Sequence, residues 1–126
     1  MVALWQRCDL TRPWNDPVRD IERKVAVQPA LFFVAEVDGR VVGSAMAGWD
    51  GHRGWVNYLA VEPDMRGRGL GRALMVAAEH ALSDLGCPKI NVQIRRGNDA
   101  AEFYRHLGFG EDEILSMGKR LESDGA

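Results

Sequence analysis

The apolar residues change their spacing once, at the segment PDMRGRGLGRAL (Pro63 to Leu74). Before it, WVNYLAV (Trp55 to Val61) is a short aromatic and β-branched run stopped by Pro63, which predicts a strand. After it, Leu70, Ala73, Leu74, Ala77, Ala78, Ala81, Leu82 and Leu85 recur at the spacing of one helical face. Gly86 stands where a left-handed C-terminal cap belongs, and Pro88 forbids continuation. KINVQI (Lys89 to Ile94) then returns to alternation. Strand, helix and strand in this order predict a right-handed crossover with two parallel strands, and the arginine- and glycine-rich segment becomes the turn into its helix.

The rest of the chain supplies antiparallel partners. LFFVAEV (Leu31 to Val37), the turn pair Asp38-Gly39 and RVVGSAMAGW predict a β-hairpin over Leu31 to Trp49, and DGHRG (Asp50 to Gly54) turns back into Trp55 to Val61. Upstream, DPVRDIERKVAV (Asp16 to Val27) reads as a helix with Asp16 as N-cap and Pro17 at its first position. Downstream, Asn98 can cap a short helix running to about Leu107 and ended by Gly108. The tail FGEDEILSMGKRL carries two short strand-like pieces around Glu111, Asp112 and Glu113.

With 126 residues the chain has room for one core, so residues 1–126 are expected to form a single domain. A formal charge of −2 gives no general pull toward nucleic acid or anionic membrane, so an anionic ligand must be held locally. An RNA-binding role for Arg66, Arg68 and Arg72 conflicts with that charge and with the lack of interleaved aromatics. No apolar run approaches a membrane span, and the opening MVALWQRCDL lacks a secretory apolar core. Cys8 and Cys87 are far apart and without metal-ligand spacing, so they read as reduced thiols, no metal is expected, and a cytoplasmic location follows.

The local feature that can hold an anion is the glycine-rich turn. A strand ending at Val61, then glycines, then a helix from near Gly69 leaves several backbone N–H groups at the positive end of a helix dipole, where phosphate binds. Arg66, Arg68 and Arg72 add charge at the rim. A P-loop requires Gly-Lys-Ser/Thr, which Gly71-Arg72-Ala73 does not supply. A dinucleotide fingerprint requires a third glycine where Arg72 stands. What remains is Arg66-x-x-Gly69-x-Gly71 behind LAVEP.

This segment resembles the pyrophosphate loop of the Gcn5-related N-acetyltransferase (GNAT) family, and NDAAEFYRHLGF (Asn98 to Phe109) resembles that family's second signature. More narrowly, CDLTRPWNDPVRDIERK, WDGHRG and GCPKI resemble the bacterial YpeA-type acetyltransferases. The resemblance implies an α/β GNAT fold: a mixed, mostly antiparallel sheet with a central parallel pair flanked by helices. Two departures are visible. The chain begins inside the family's first helix, at VALWQRC, so the opening strand is apparently missing, by truncation or by lack of one edge strand. Asn98 and Tyr104 are six apart where the family has seven, which places Gly97 in the asparagine position when the two are aligned on Tyr104.

The resemblance further implies transfer of an acetyl group from acetyl-CoA to an amine of a small molecule, peptide or protein, or alternatively a non-catalytic acyl-CoA-binding regulatory module. It implies that the two parallel strands splay and that pantetheine lies along the backbone of Leu59, Ala60 and Val61, with an N–H near Val61 on the thioester carbonyl. The pyrophosphate then rests on Arg66, Gly67, Arg68, Gly69, Leu70, Gly71 and Arg72, Asn98 joins the cofactor site, and Tyr104 meets the cofactor and protonates the departing thiolate. Where relatives carry a base, this chain has Gln93, which cannot accept a proton. Asp50, His52 and Glu111 to Glu113 are the remaining candidates, by water relay, and the acidic trio is expected to favour a cationic acceptor. Trp14 and Trp49 are candidates for the acceptor wall, with core packing the competing role for Trp5, Trp49 and Trp55. An unpaired edge strand would encourage a homodimer.

Overall fold

A computed structural model describes residues 1–94 and 100–124. Helix α1 (Val2–Arg7) and helix α2 (Pro17–Ala26) precede three strands, β1 (Phe32–Val37), β2 (Arg40–Trp49) and β3 (Gly54–Val61). Helix α3 (Leu70–Asp84), strand β4 (Ile90–Val92) and helix α4 (Ala101–His106) follow. The strands form one sheet in the order β1-β2-β3-β4, antiparallel except for the parallel pair β3 and β4.

The punctuation expected from the sequence sets the elements. The Asp16 carboxylate accepts the Val18 N–H at 3.0 Å at the start of α2. Asp38 and Gly39 take the positive φ angles of 52° and 76° that the β1–β2 turn demands. At the end of α3, the Cys87 N–H reaches Leu82 O and the Gly86 N–H reaches Ser83 O, with Gly86 at φ 92°. The same pair of bonds closes α4, from Phe109 to Tyr104 O and from Gly108 to Arg105 O.

Helix α3 covers one face of the sheet with Leu74, Met75, Ala78 and Leu82, against Leu31, Ala45, Ala47 and Val56. Met75 joins this core although it lies outside the expected stripe, while Ala73 and Leu85 of that stripe are exposed. The other face carries α1 and α2, where Leu4, Trp5 and Ala60 are buried beside Ile21, Phe32, Met46 and Tyr58. Trp5 has no exposed surface and stacks on Tyr58, ring centroids 3.8 Å apart. Strand β2 is buried on both sides, which is why its sequence runs almost unbroken through small and apolar residues.

Two expectations are corrected. The tail contains no strand among its described residues: Phe109 packs against the core, but Ile114, Leu115, Met117 and Leu121 beyond it are mostly exposed. A strand needs a ladder to join, and β4 spans only three residues. The parallel pair therefore stands at one end of the sheet, not at its middle. The second correction concerns the strand expected over Lys89 to Ile94, which is confined to Ile90–Val92. The cap expected at Asn98 lies outside the described residues.

Candidate active site

The site begins with an irregularity in β3. Ser44 pairs with Ala60 and Met46 with Asn57, so Ala45 faces two residues, Tyr58 and Leu59, and the strand bulges. Tyr58 adopts φ 51°, a conformation that costs a non-glycine residue about 1–2 kcal/mol. Three contacts hold it there. Its ring lies on Trp5, its hydroxyl donates to Asp20 Oδ2 at 2.6 Å, and its carbonyl accepts the Ser44 hydroxyl at 2.7 Å. Ser44 in turn accepts the Trp5 indole N–H at 2.8 Å, so the fully buried hydroxyl is satisfied twice.

The bulge coincides with the parting of the parallel strands. Pairing between β3 and β4 runs from Gly54–Ile90 to Val56–Val92 and stops two residues before Tyr58. Beyond that point β3 continues to Val61 with no strand on its β4 side among the described residues. The edge formed by Leu59, Ala60 and Val61 therefore borders a wedge. The Val61 carbonyl already accepts Arg66 Nε at 3.2 Å and the Cys8 thiol at 3.3 Å. Behind it, the buried Glu62 binds Arg7 through both carboxylate oxygens, at 2.7 and 2.6 Å, tying α1 to the end of β3.

The glycine-rich loop leaves this strand end. Gly67 and Gly69 both have φ 80°, with open space where a β-carbon would lie, so backbone conformation selects glycine there. Gly71 is different: its β-carbon would stand 3.2 Å from Phe103 Cζ and 3.6 Å from Val61 Cγ2, so close packing of α3 against α4 and β3 selects it. Gly69 caps α3 without any side-chain bond. The backbone N–H groups of Arg66 through Arg72 have no acceptor among the described residues. Arg68 and Arg72 are exposed and have no ion pair among those residues, whereas Arg66 folds back onto Val61 O and Cys8 Sγ.

Phe103 carries the loop's neighbourhood to Tyr104, whose ring meets Phe103 and Phe109 edge-on at 5.2 and 5.6 Å. Burial pushes the Tyr104 phenol up to about 12, and its hydroxyl has no partner among the described residues. Tyr104 also lines a cleft of about 1710 Å³ together with Trp14, Asp20, Lys24, Asn57 and Tyr58 on the α2 side and Glu79, Leu82 and Ser83 of α3. The glycine-rich loop does not line this cleft.

The remaining candidates separate. Asp50 and His52 lie in the β2–β3 turn and do not line the cleft; the Asp50 carboxylate caps that turn, accepting the N–H groups of His52 and Arg53 at 2.8 Å, bonds that hold its pKa down. Gln93 faces the cleft and donates to Ser116 Oγ at 2.6 Å. Asp112 pairs with Lys89 at 2.9 Å and Glu111 with Arg105 at 3.7 Å, so the acidic trio exerts less net field than its sequence suggests. Trp14 is half exposed on the cleft, whereas Trp49 packs against the α3 core. Asn98 lies outside the described residues. Sequence reasoning missed Asn15, Asp20 and Tyr58, which hydrogen-bond to one another at the cleft wall; no motif spacing marks three residues joined only by folding.

Comparison with known proteins agrees with this architecture. The family model described as "Acetyltransferase (GNAT) family" matches residues 1–109. An acetyltransferase of Sodalis glossinidius (strain morsitans) is 54% identical over 126 residues, covering 98% of this chain and 89% of that protein. An acetyltransferase of Pectobacterium atrosepticum is 51% identical over 125 residues with the same coverage. Among solved structures, Ard1 from Thermoplasma volcanium superposes with a TM-score of 0.75 at 23% identity, covering 86% of this chain and 75% of that one. At that identity the superposition speaks for the fold.

Proposed function

Because the chain belongs to the acetyltransferase (GNAT) family and transfers an acetyl group from acetyl-CoA to an amine, we propose that its chemistry takes place in the wedge between β3 and β4. The observation that carries this assignment is the row of unpaired N–H groups from Arg66 to Arg72, leading into α3 beside the parting strands. These groups and the free Arg68 and Arg72 would grip the coenzyme's diphosphate. The β3 edge at Leu59, Ala60 and Val61 would hold pantetheine as a strand holds its neighbour, leaving an N–H near Val61 to stabilise the oxyanion by about 3 kcal/mol.

Tyr104 then acts as the acid. A phenol held near 12 stays protonated at every working pH; its transfer to a thiolate whose thiol has a pKa of about 8.5 is uphill by roughly 5 kcal/mol, so the step is completed by water returning a proton to the phenolate. The acceptor's proton leaves to water. Asp20 is an unsuitable base, since it already accepts from Tyr58, Asn15 and Arg23. The rate should therefore rise with pH until the acceptor amine is neutral and show no loss of the acid below about pH 10.

Tyr104→Phe tests the assignment. We expect kcat to fall on the order of a hundredfold or more while the Kd for acetyl-CoA, read by calorimetry, stays put. Unchanged kcat would remove Tyr104 from the mechanism.

We further infer a cytoplasmic protein; among the described residues no helix is long and apolar enough to cross a membrane. A homodimer through the exposed edge of β1 completes the reading, and a monomer mass by light scattering at micromolar concentration would refute it.

A further inference from the structure

Helix α2 turns Asp20, Arg23 and Lys24 toward the cleft. Arg23 bonds Asp20 and Asp124, Arg12 faces Asp9, Arg105 faces Glu102 and Glu111, and Lys89 faces Asp112. Lys24 stands apart. It has no hydrogen bond or ion pair among the described residues, yet its ammonium is folded over Gly48, 3.5 Å from where a β-carbon would be, beside the Gln28 amide. Among the described residues, the one cleft-lining carboxylate without a counter-ion, Glu79, is on α3, across the sheet. Burial holds the Lys24 ammonium below the ordinary lysine value, the sign of a charge that the fold leaves uncompensated. Gly48 pairs with Trp55, three residues before the bulge at Tyr58 and six before Val61, so Lys24 lies roughly 10 Å along the strand from the bulge and roughly 20 Å from Val61. Asn91, paired with Trp55, and Asn57, two residues further along β3, also line the cleft and add amide donors.

We propose that the acceptor is an extended amine carrying an anionic group, and that Lys24 binds this group roughly 10–20 Å along β3 from the reacting nitrogen. The inference rests on the wedge being the acetyl-transfer site and specifies which amines enter it. It reverses the sign of acceptor charge expected from the acidic tail, whose carboxylates are partly neutralised by Lys89 and Arg105.

The test uses the whole chain with three acceptors of matched length, an ω-amino acid, the alkylamine and the corresponding diamine, in an eight-carbon series (ω-amino-octanoate, octylamine) and a sixteen-carbon series. We expect kcat/KM for the amino acid to exceed the other two by about tenfold or more, Lys24→Met to abolish that preference, and Lys24→Arg to retain most of it. A second readout is independent of turnover. The Lys24 side-chain NMR signal, assigned with Lys24→Arg, should move on addition of ω-amino-octanoate and not of octylamine. Equal turnover of the three acceptors, or a preference that survives Lys24→Met, would overturn the inference while leaving acetyl transfer intact. If no acceptor consumes acetyl-CoA but the Lys24 signal still responds to the amino acid, the anion site stands and the assigned catalytic residues are wrong.

Discussion

Ser44→Ala is the sharpest perturbation of the device that shapes the site. The Ser44 hydroxyl is fully buried, accepts from the Trp5 indole at 2.8 Å and donates to the Tyr58 carbonyl at 2.7 Å. Alanine fits the space but leaves an N–H and a carbonyl buried without partners, each costing about 1–3 kcal/mol. The void left by one oxygen is too small to hold a water. The expected loss is therefore about 2–6 kcal/mol, a fall in Tm of about 10 °C or more for a domain of this size. Thermal and urea unfolding of both proteins give the number directly. A double-mutant cycle with Trp5→Phe, which deletes the donor and keeps an aromatic ring, should return a coupling of about 1–2 kcal/mol. Because the carbonyl belongs to the bulge, kcat/KM should also fall well below the melting range. A Tm change under about 2 °C, or additive single variants, would refute the claim that this hydroxyl pins the bulge.

Other expectations follow from the same geometry. Gly69→Ala forces a β-carbon into φ 80° with free space around it, so it should cost about 1 kcal/mol of stability and weaken acetyl-CoA binding. Gly71→Ala instead presses on Phe103, and its cost, about 1–3 kcal/mol, should be relieved in part by Phe103→Leu; equal behaviour of the two variants in that background would show that conformation and space were wrongly separated. Glu62→Gln tests linkage. The bond to Arg7 holds the Glu62 carboxyl below its ordinary value, so its contribution is present above the unfolded carboxylate pKa and is lost as pH falls through the lower folded value. The Tm gap between parent and variant should accordingly be open at neutral pH and close in acid; a gap independent of pH would assign the effect to packing.

How much was legible in advance depended on whether the signal was local. Asp16-Pro17 and Asp38-Gly39 act within two or three residues, and Gly86 within the last turn of its helix, so chain chemistry alone placed α2, the β1–β2 hairpin and the end of α3. The order strand, glycine-rich turn, helix, strand likewise fixed the parallel pair and put free N–H groups at the head of α3. Three things were decided by tertiary contact. Tyr58 reads in sequence as one more strand residue; the indole of Trp5, the hydroxyl of Ser44 and the carboxylate of Asp20, drawn from three other elements, make it a bulge. Gly71 is indistinguishable from Gly67 and Gly69 until Phe103 packs against it. Lys24 looks like any solvated helical lysine until the partners of its neighbours are known and it is the cation left over. Turns and caps are settled by short-range sterics and hydrogen bonds that travel with the sequence, whereas a bulge, a close approach and an unpaired charge are relations between distant residues that exist only once the chain has folded.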